Sequence, residues 1–177
     1  MASSAVKKVS SVVLAALAVF LIYYAYMSIS FLVVFSFLDH SLWENHRLVR
    51  GDVQVPVGFR FAYFLVWMIP ICATIVMLLM AIYLANLIRT GTYFSVKMVR
   101  ALRSVGVSGV IAGLTIMMAT SVWGWMITFY NETDHRSVSF MYDPSQAGIM
   151  LLGAGIVMLA WVIQSAMLMR QENEEIV

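Results

Sequence analysis

The chain has 177 residues, 62% of them hydrophobic and only 11% charged, with a formal net charge of +2. A soluble domain carries roughly 25% charged residues, so this chain lacks the polar surface to face water all round. So small a net charge also argues against direct nucleic-acid binding.

Four uncharged runs account for the composition: 9–38, 61–88, 104–131 and 144–169. Each exceeds the ~20 residues that a helix needs to cross hydrocarbon. Backbone groups in lipid must pair internally, so helices are predicted; no ten-residue alternation points to a barrel. The expected fold is an all-α integral membrane protein, a four-transmembrane-helix bundle forming one domain over 1–177. Spans are predicted at 11–38, 61–88, 104–130 and 145–169, with outer loops at 39–60 and 131–144, a cytoplasmic loop at 89–103 and a tail at 170–177.

The first element opens with Lys7 and Lys8 before an apolar run, as a signal peptide would. The run is too long for one, and the A-x-A triplet Ala16-Leu17-Ala18 falls early within it. An uncleaved first span is therefore expected. The following loop carries His40 and His46, and the third loop carries His135; two of the three follow an aspartate, Asp39 and Asp134. Imidazole beside carboxylate suits a divalent metal or a pH response. No two of these histidines have helical ligand spacing, however, and solvated loop histidines are the expected state. "VQVPVGF" and "SVSFMY" alternate briefly, enough for a small sheet with Pro56 on an edge strand.

The second span contains Pro70, whose ring removes a backbone hydrogen bond and should kink the helix. It also holds the only cysteine, Cys72, so no intrachain disulfide can form. Met77 and Met80 share a face, but no histidine or cysteine beside them makes a copper site. Methionine as apolar filler is expected instead.

Between the second and third spans lies RTGTYFSVKMVRALRSVG, with Arg89, Lys97, Arg100 and Arg103 and no acid. Gly91 can end the preceding helix as a left-handed cap, and Ser95 can cap the next. Lys97, Arg100 and Arg103 recur every three residues, opposite Met98, Ala101, Leu102 and Val105. This predicts an amphipathic lead-in helix whose apolar side enters the interface while its charges meet anionic membrane lipids.

In the third span Gly109, Gly113, Thr120 and Gly124 stay within about 60° of one face at ~100° per residue. Small residues let another helix approach closely. Packing within the bundle is the expected use, a homo-oligomer face the alternative. Gly148, Gly153 and Gly155 in the fourth span suit a partner for that face. Trp67, Trp123 and Trp125 lie near span ends, as an aromatic belt would; Trp161 lies deeper and is expected to pack in the bundle. The tail RQENEEIV adds Glu172, Glu174 and Glu175, which could pair with the basic loop.

Seven basic residues fall on the side holding the termini and the middle loop, against four on the other side. Positive charge concentrates in the cytoplasm, so both termini are expected there, in a cell inner (plasma) membrane. The spans contain no Asp, Glu, Lys, Arg or His. Proton relays, ion-coupled transporters and voltage sensors place such groups at membrane depth, so those classes are disfavoured. No catalytic constellation and no cofactor motif is visible.

The stretch LIRTGTYFSVKMVRALRSVG and the tail RQENEEIV resemble a bacterial family of four-span membrane proteins, domain of unknown function 2975. Its pattern falls here on Gly91, Phe94-Ser95, Arg100-Ala101-Leu102-Arg103 and Glu172-Asn173-Glu174. Glu175 departs from the hydrophobic residue that often follows. The resemblance implies no enzymatic activity to carry over. It does imply a partner, a short helix-turn-helix regulator often encoded beside such proteins. The expected function is therefore non-enzymatic and regulatory or sensory, engaging a cytosolic partner through the basic loop and acidic tail. The alternative is a small oligomeric channel or transport subunit.

Overall fold

The computed structural model describes residues 4–38, 56–92, 95–129 and 144–175. These form four long helices: α1 (Ser4–Val33), continued by a π-helical turn (Val34–Leu38), α2 (Val57–Arg89), α3 (Val96–Thr128) and α4 (Pro144–Glu175). All four are long and apolar enough to cross a membrane. The helices outrun the uncharged runs at several ends, because charge alone does not stop a helix. Val57–Arg60, expected in a loop, is the first turn of α2, with Phe59 and Arg60 donating backbone hydrogen bonds to the Pro56 carbonyl. That removes half of the strand pairing suggested by VQVPVGF; the other half lies outside the described residues. Residues 96–103 belong to α3 without a break, and the tail through Glu175 continues α4.

Hydroxyl groups inside these helices satisfy themselves locally. Thr74 donates to the Pro70 carbonyl (2.9 Å), Thr115 to Ile111 (2.9 Å), Thr120 to Met117 (2.9 Å) and Thr128 to Gly124 (3.1 Å). Bonds of this kind let polar side chains sit on helices that no water reaches. Pro70 is fully buried, and α2 is helical on both sides of it.

Each helix packs mainly on its neighbour in sequence: α1 on α2, α2 on α3, α3 on α4. The assembly is thus a row, in which α1 and α4 are flanks with one packed side each. Their free sides are apolar: Ile22 is 70% exposed, Leu151 73% and Leu152 72%. Trp161 belongs to this surface at 57% exposure rather than to the packed interior. Depth along a helix does not determine which way a side chain faces. A soluble protein would not present so much contiguous apolar surface; hydrocarbon accommodates it.

Two contacts hold the row. Where α1, α2 and α3 meet, Phe35, Tyr63 and Trp123 form an aromatic cluster with Leu32, Ile71 and Met126. Tyr63 and Trp123 have ring centroids 4.4 Å apart, and Phe35 meets Trp123 edge-on at 5.6 Å. Trp123, placed by sequence in a membrane-surface belt, is therefore a core residue. Between α3 and α4 the backbones approach through glycine. A Cβ on Gly109 would lie 3.5 Å from the Cα of Gly153 and 3.6 Å from the sulfur of Met77, and Gly113 lies against Met150. Gly124 is buried and Thr120 half-buried. The glycine face of α3 is thus occupied by α4 and α2, which leaves Gly109 and Gly113 unavailable to a second copy. On α4, Gly153 makes the approach, while Gly148 and Gly155 face open space.

Candidate functional site

The end of the row that holds the chain termini and the α2–α3 link is shaped by two caps. Gly91, at φ 78°, closes α2: its N–H donates to Ile88 and that of Thr92 donates to Leu87. This is the Schellman arrangement, and only glycine takes that backbone conformation without strain. Ser95 then starts α3, its hydroxyl accepting from the Met98 N–H at 3.2 Å and donating to the Thr92 carbonyl at 3.4 Å. One hydroxyl so ties the end of the first cap to the start of the second. Tyr93 and Phe94 lie outside the described residues.

With both helix ends fixed, the four basic residues take defined places. Arg89, Lys97, Arg100 and Arg103 are all exposed, while Val99 and Ala101 are buried. Arg100 and Arg103 stand on a ridge of α3 between two grooves. One, of about 240 Å³, runs between α3 and α4 and is also lined by Val99, Gln164, Leu168 and Gln171. The other, of about 340 Å³, runs between α2 and α3 beside Met80, Ser104 and Ser108. Ser104 and Ser108 donate to the carbonyls of Arg100 and Val105, so their protons are already used.

Among the described residues no carboxylate pairs with these arginines. Glu172 is exposed and does not line either groove. The side chains of Glu174 and Glu175 lie outside the described ones. Gln171, one position from Glu172, is the tail residue that reaches the Arg100–Arg103 groove. Gln164 and Gln171 had no place in the sequence reading. The available signal was their spacing of seven, which returns a polar group to one helix face.

The opposite end has a different chemistry. Ser36, Arg60, Thr128 and Gln146 are buried at 0%, 9%, 3% and 6% exposure, one from the end of each helix. Ser36, Arg60 and Thr128 are within five residues of Phe35, Tyr63 and Trp123, whereas Gln146 is level with the middle of α3, its backbone carbonyl lying near Gly113. The Ser36 hydroxyl and the Gln146 side-chain carbonyl have no hydrogen-bond partner. His40, His46 and His135 lie outside the described residues. Among the described residues no three His, Cys, Asp or Glu side chains gather as metal ligands would.

The family model described as "Protein of unknown function (DUF2975)" matches residues 2–177, and the chain belongs to that family. No curated protein and no solved structure matches it.

Proposed function

We propose that this member of the family is a non-enzymatic, multi-pass plasma-membrane protein that regulates a cytosolic partner. Positive charge favours the cytoplasmic side, which puts both termini and the α2–α3 link there. The opposite end, with its buried Ser36, Arg60 and Thr128, then faces outward as the receiving side. The observation that carries the reading is the exposed ridge of Arg100 and Arg103, flanked by Lys97 and Arg89, with no acid paired to it among the described residues. Such a ridge suits a soluble protein with an acidic surface, and electrostatic complementarity of this kind sets partner choice and association rate. A small helix-turn-helix regulator is the partner proposed. The acidic residues Glu172, Glu174 and Glu175 would compete with it for the same charges.

The test is capture of soluble proteins on the full chain in native membranes, with Arg100→Glu/Arg103→Glu and Lys97→Glu variants of verified topology. Recovery of a DNA-binding regulator by the native chain, lost in both variants, supports the reading. The same recovered proteins for all versions would remove it.

A further inference from the structure

We propose that the groove between α3 and α4 holds an acidic amphipathic helix of a soluble protein, its apolar residues against Val96, Met167 and Leu168 and its carboxylates against Arg100 and Arg103. The proposal rests on the reading above that this end engages a cytosolic partner, and it specifies the part of the partner that docks.

The register of the two helices shapes the groove. Gly106 meets Gly153 and Val157, and Gly113 meets Gln146 and Met150, so α3 and α4 run antiparallel. Continued to the helix end, that register sets Gln164 level with the start of α3. Residues 165–175 of α4 then project past α3 by roughly 16 Å. The groove is thus a step, walled by Val96, Val99, Arg100 and Arg103 of α3 and by Gln164, Met167, Leu168 and Gln171 of α4.

The order of polarity along this step decides what occupies it. Arg103 is the last charge before the uncharged run of α3, which sets the headgroup level at the arginines. Val96 lies roughly 6 Å nearer the cytosol than Arg100, and Met167 and Leu168 lie farther out than Val96. Acyl chains are on the other side of the arginines and cannot cover these residues. Yet Val96 is 63% exposed and Leu168 53%, beside the exposed Lys97. Apolar surface on the water side of a charged rim marks a contact with protein.

Charge and spacing specify the occupant further. Arginine side chains on a helix lean toward its N-terminus, so Arg100 and Arg103 reach back over the apolar part of the step. No carboxylate among the described residues pairs with them, and the other polar lining groups, Gln164 and Gln171, carry no charge. The groove is therefore positive and fits an acidic ligand. Both walls repeat at i, i+3, i+4 and i+7, which makes a straight slot two turns long. A helix fits such a slot with its own i, i+3, i+4 and i+7 residues. An extended peptide would find no strand edge there for its backbone groups.

The test uses the full chain in phosphatidylcholine nanodiscs and two fluorescent synthetic peptides of about fifteen residues, long enough to be helical. Both carry the same glutamates; one has leucines at i, i+3, i+4 and i+7, and the other has serines there. By fluorescence anisotropy the leucine peptide should bind roughly tenfold more tightly than the serine peptide. Val96→Gln/Leu168→Gln, at two exposed positions, should remove that difference, and Arg100→Gln/Arg103→Gln should weaken both peptides. Equal binding of the two peptides by the native chain would overturn the proposal and leave charge-only docking of a regulator standing. Binding of neither would overturn the proposal and count against that docking as well. Full discrimination retained by Val96→Gln/Leu168→Gln, or equal binding to empty nanodiscs, would place the peptide on another surface or on lipid and overturn the proposal too.

Discussion

A methyl group on Gly106 would lie 2.7 Å from the carbonyl oxygen of Gly153, and one on Gly153 would lie 2.7 Å from that of Gly106. The two helix backbones touch there with no side chain between them. Because the opposing atoms are backbone, neither helix can yield without moving as a whole. Gly106→Ala or Gly153→Ala should therefore destabilise the α3–α4 pair by about 1–3 kcal/mol, the usual cost of overpacking. Gly148→Ala and Gly155→Ala, which face open space, should cost nothing and gain helix propensity. Unfolding in mixed micelles ranks the four variants; equal stability of all of them would mean that the approach is not tight.

Trp123 and Trp161 should separate just as clearly. Trp123 is 8% exposed among Phe35 and Tyr63, whereas Trp161 is 57% exposed. Trp123→Ala should cost about 3–5 kcal/mol, as large aromatic truncations in cores do, and Trp161→Ala close to none. In single-tryptophan versions, brominated acyl chains should quench Trp161 strongly and Trp123 weakly. The reverse order would place α4 inside the row.

These two tryptophans show where the sequence was legible and where it was not. Four helices, the Gly91 stop and the Ser95 cap could all be read, because run length and cap chemistry are local. Helix facing could not. In a soluble protein the polar stripe marks the outside, but here both sides of α1 and α4 are apolar, so no periodicity distinguishes packed from lipid-facing positions. Gly106 escaped because it precedes the expected stripe by three residues and looked like part of the link. Gln164 escaped because one amide in a long apolar run carries no pattern until Gln171 is seen beside the same arginines.

The link itself makes a local prediction. Gly91→Ala forces a side chain into φ 78° and should cost about 1 kcal/mol. Ser95→Ala removes the acceptor for Met98 and should cost a similar ~1 kcal/mol, while Ser95→Asn should restore most of it. Amide hydrogen exchange reads both changes directly. The Thr92 N–H should exchange faster in the Gly91 variant and the Met98 N–H faster in the Ser95 variant. Unchanged protection at both would show that the caps contribute nothing.

Ser36 and Thr128 carry hydroxyls that are both buried, yet their replacements should have opposite signs. The Thr128 hydroxyl donates to Gly124, whereas that of Ser36 has no partner. Thr128→Ala should therefore lose about 0.5–1.5 kcal/mol, the net worth of a hydrogen bond. Ser36→Ala removes a polar atom that burial penalises and should be neutral or stabilising by about 1 kcal/mol. Gln146→Leu should follow Ser36, since its side-chain carbonyl is also unpartnered. Thermal unfolding of the three variants checks the signs, and a loss with Ser36→Ala equal to that with Thr128→Ala would show a hidden partner. If the signs hold, stability does not explain why Ser36 and Gln146 are polar. Buried groups that cost stability are common at functional sites.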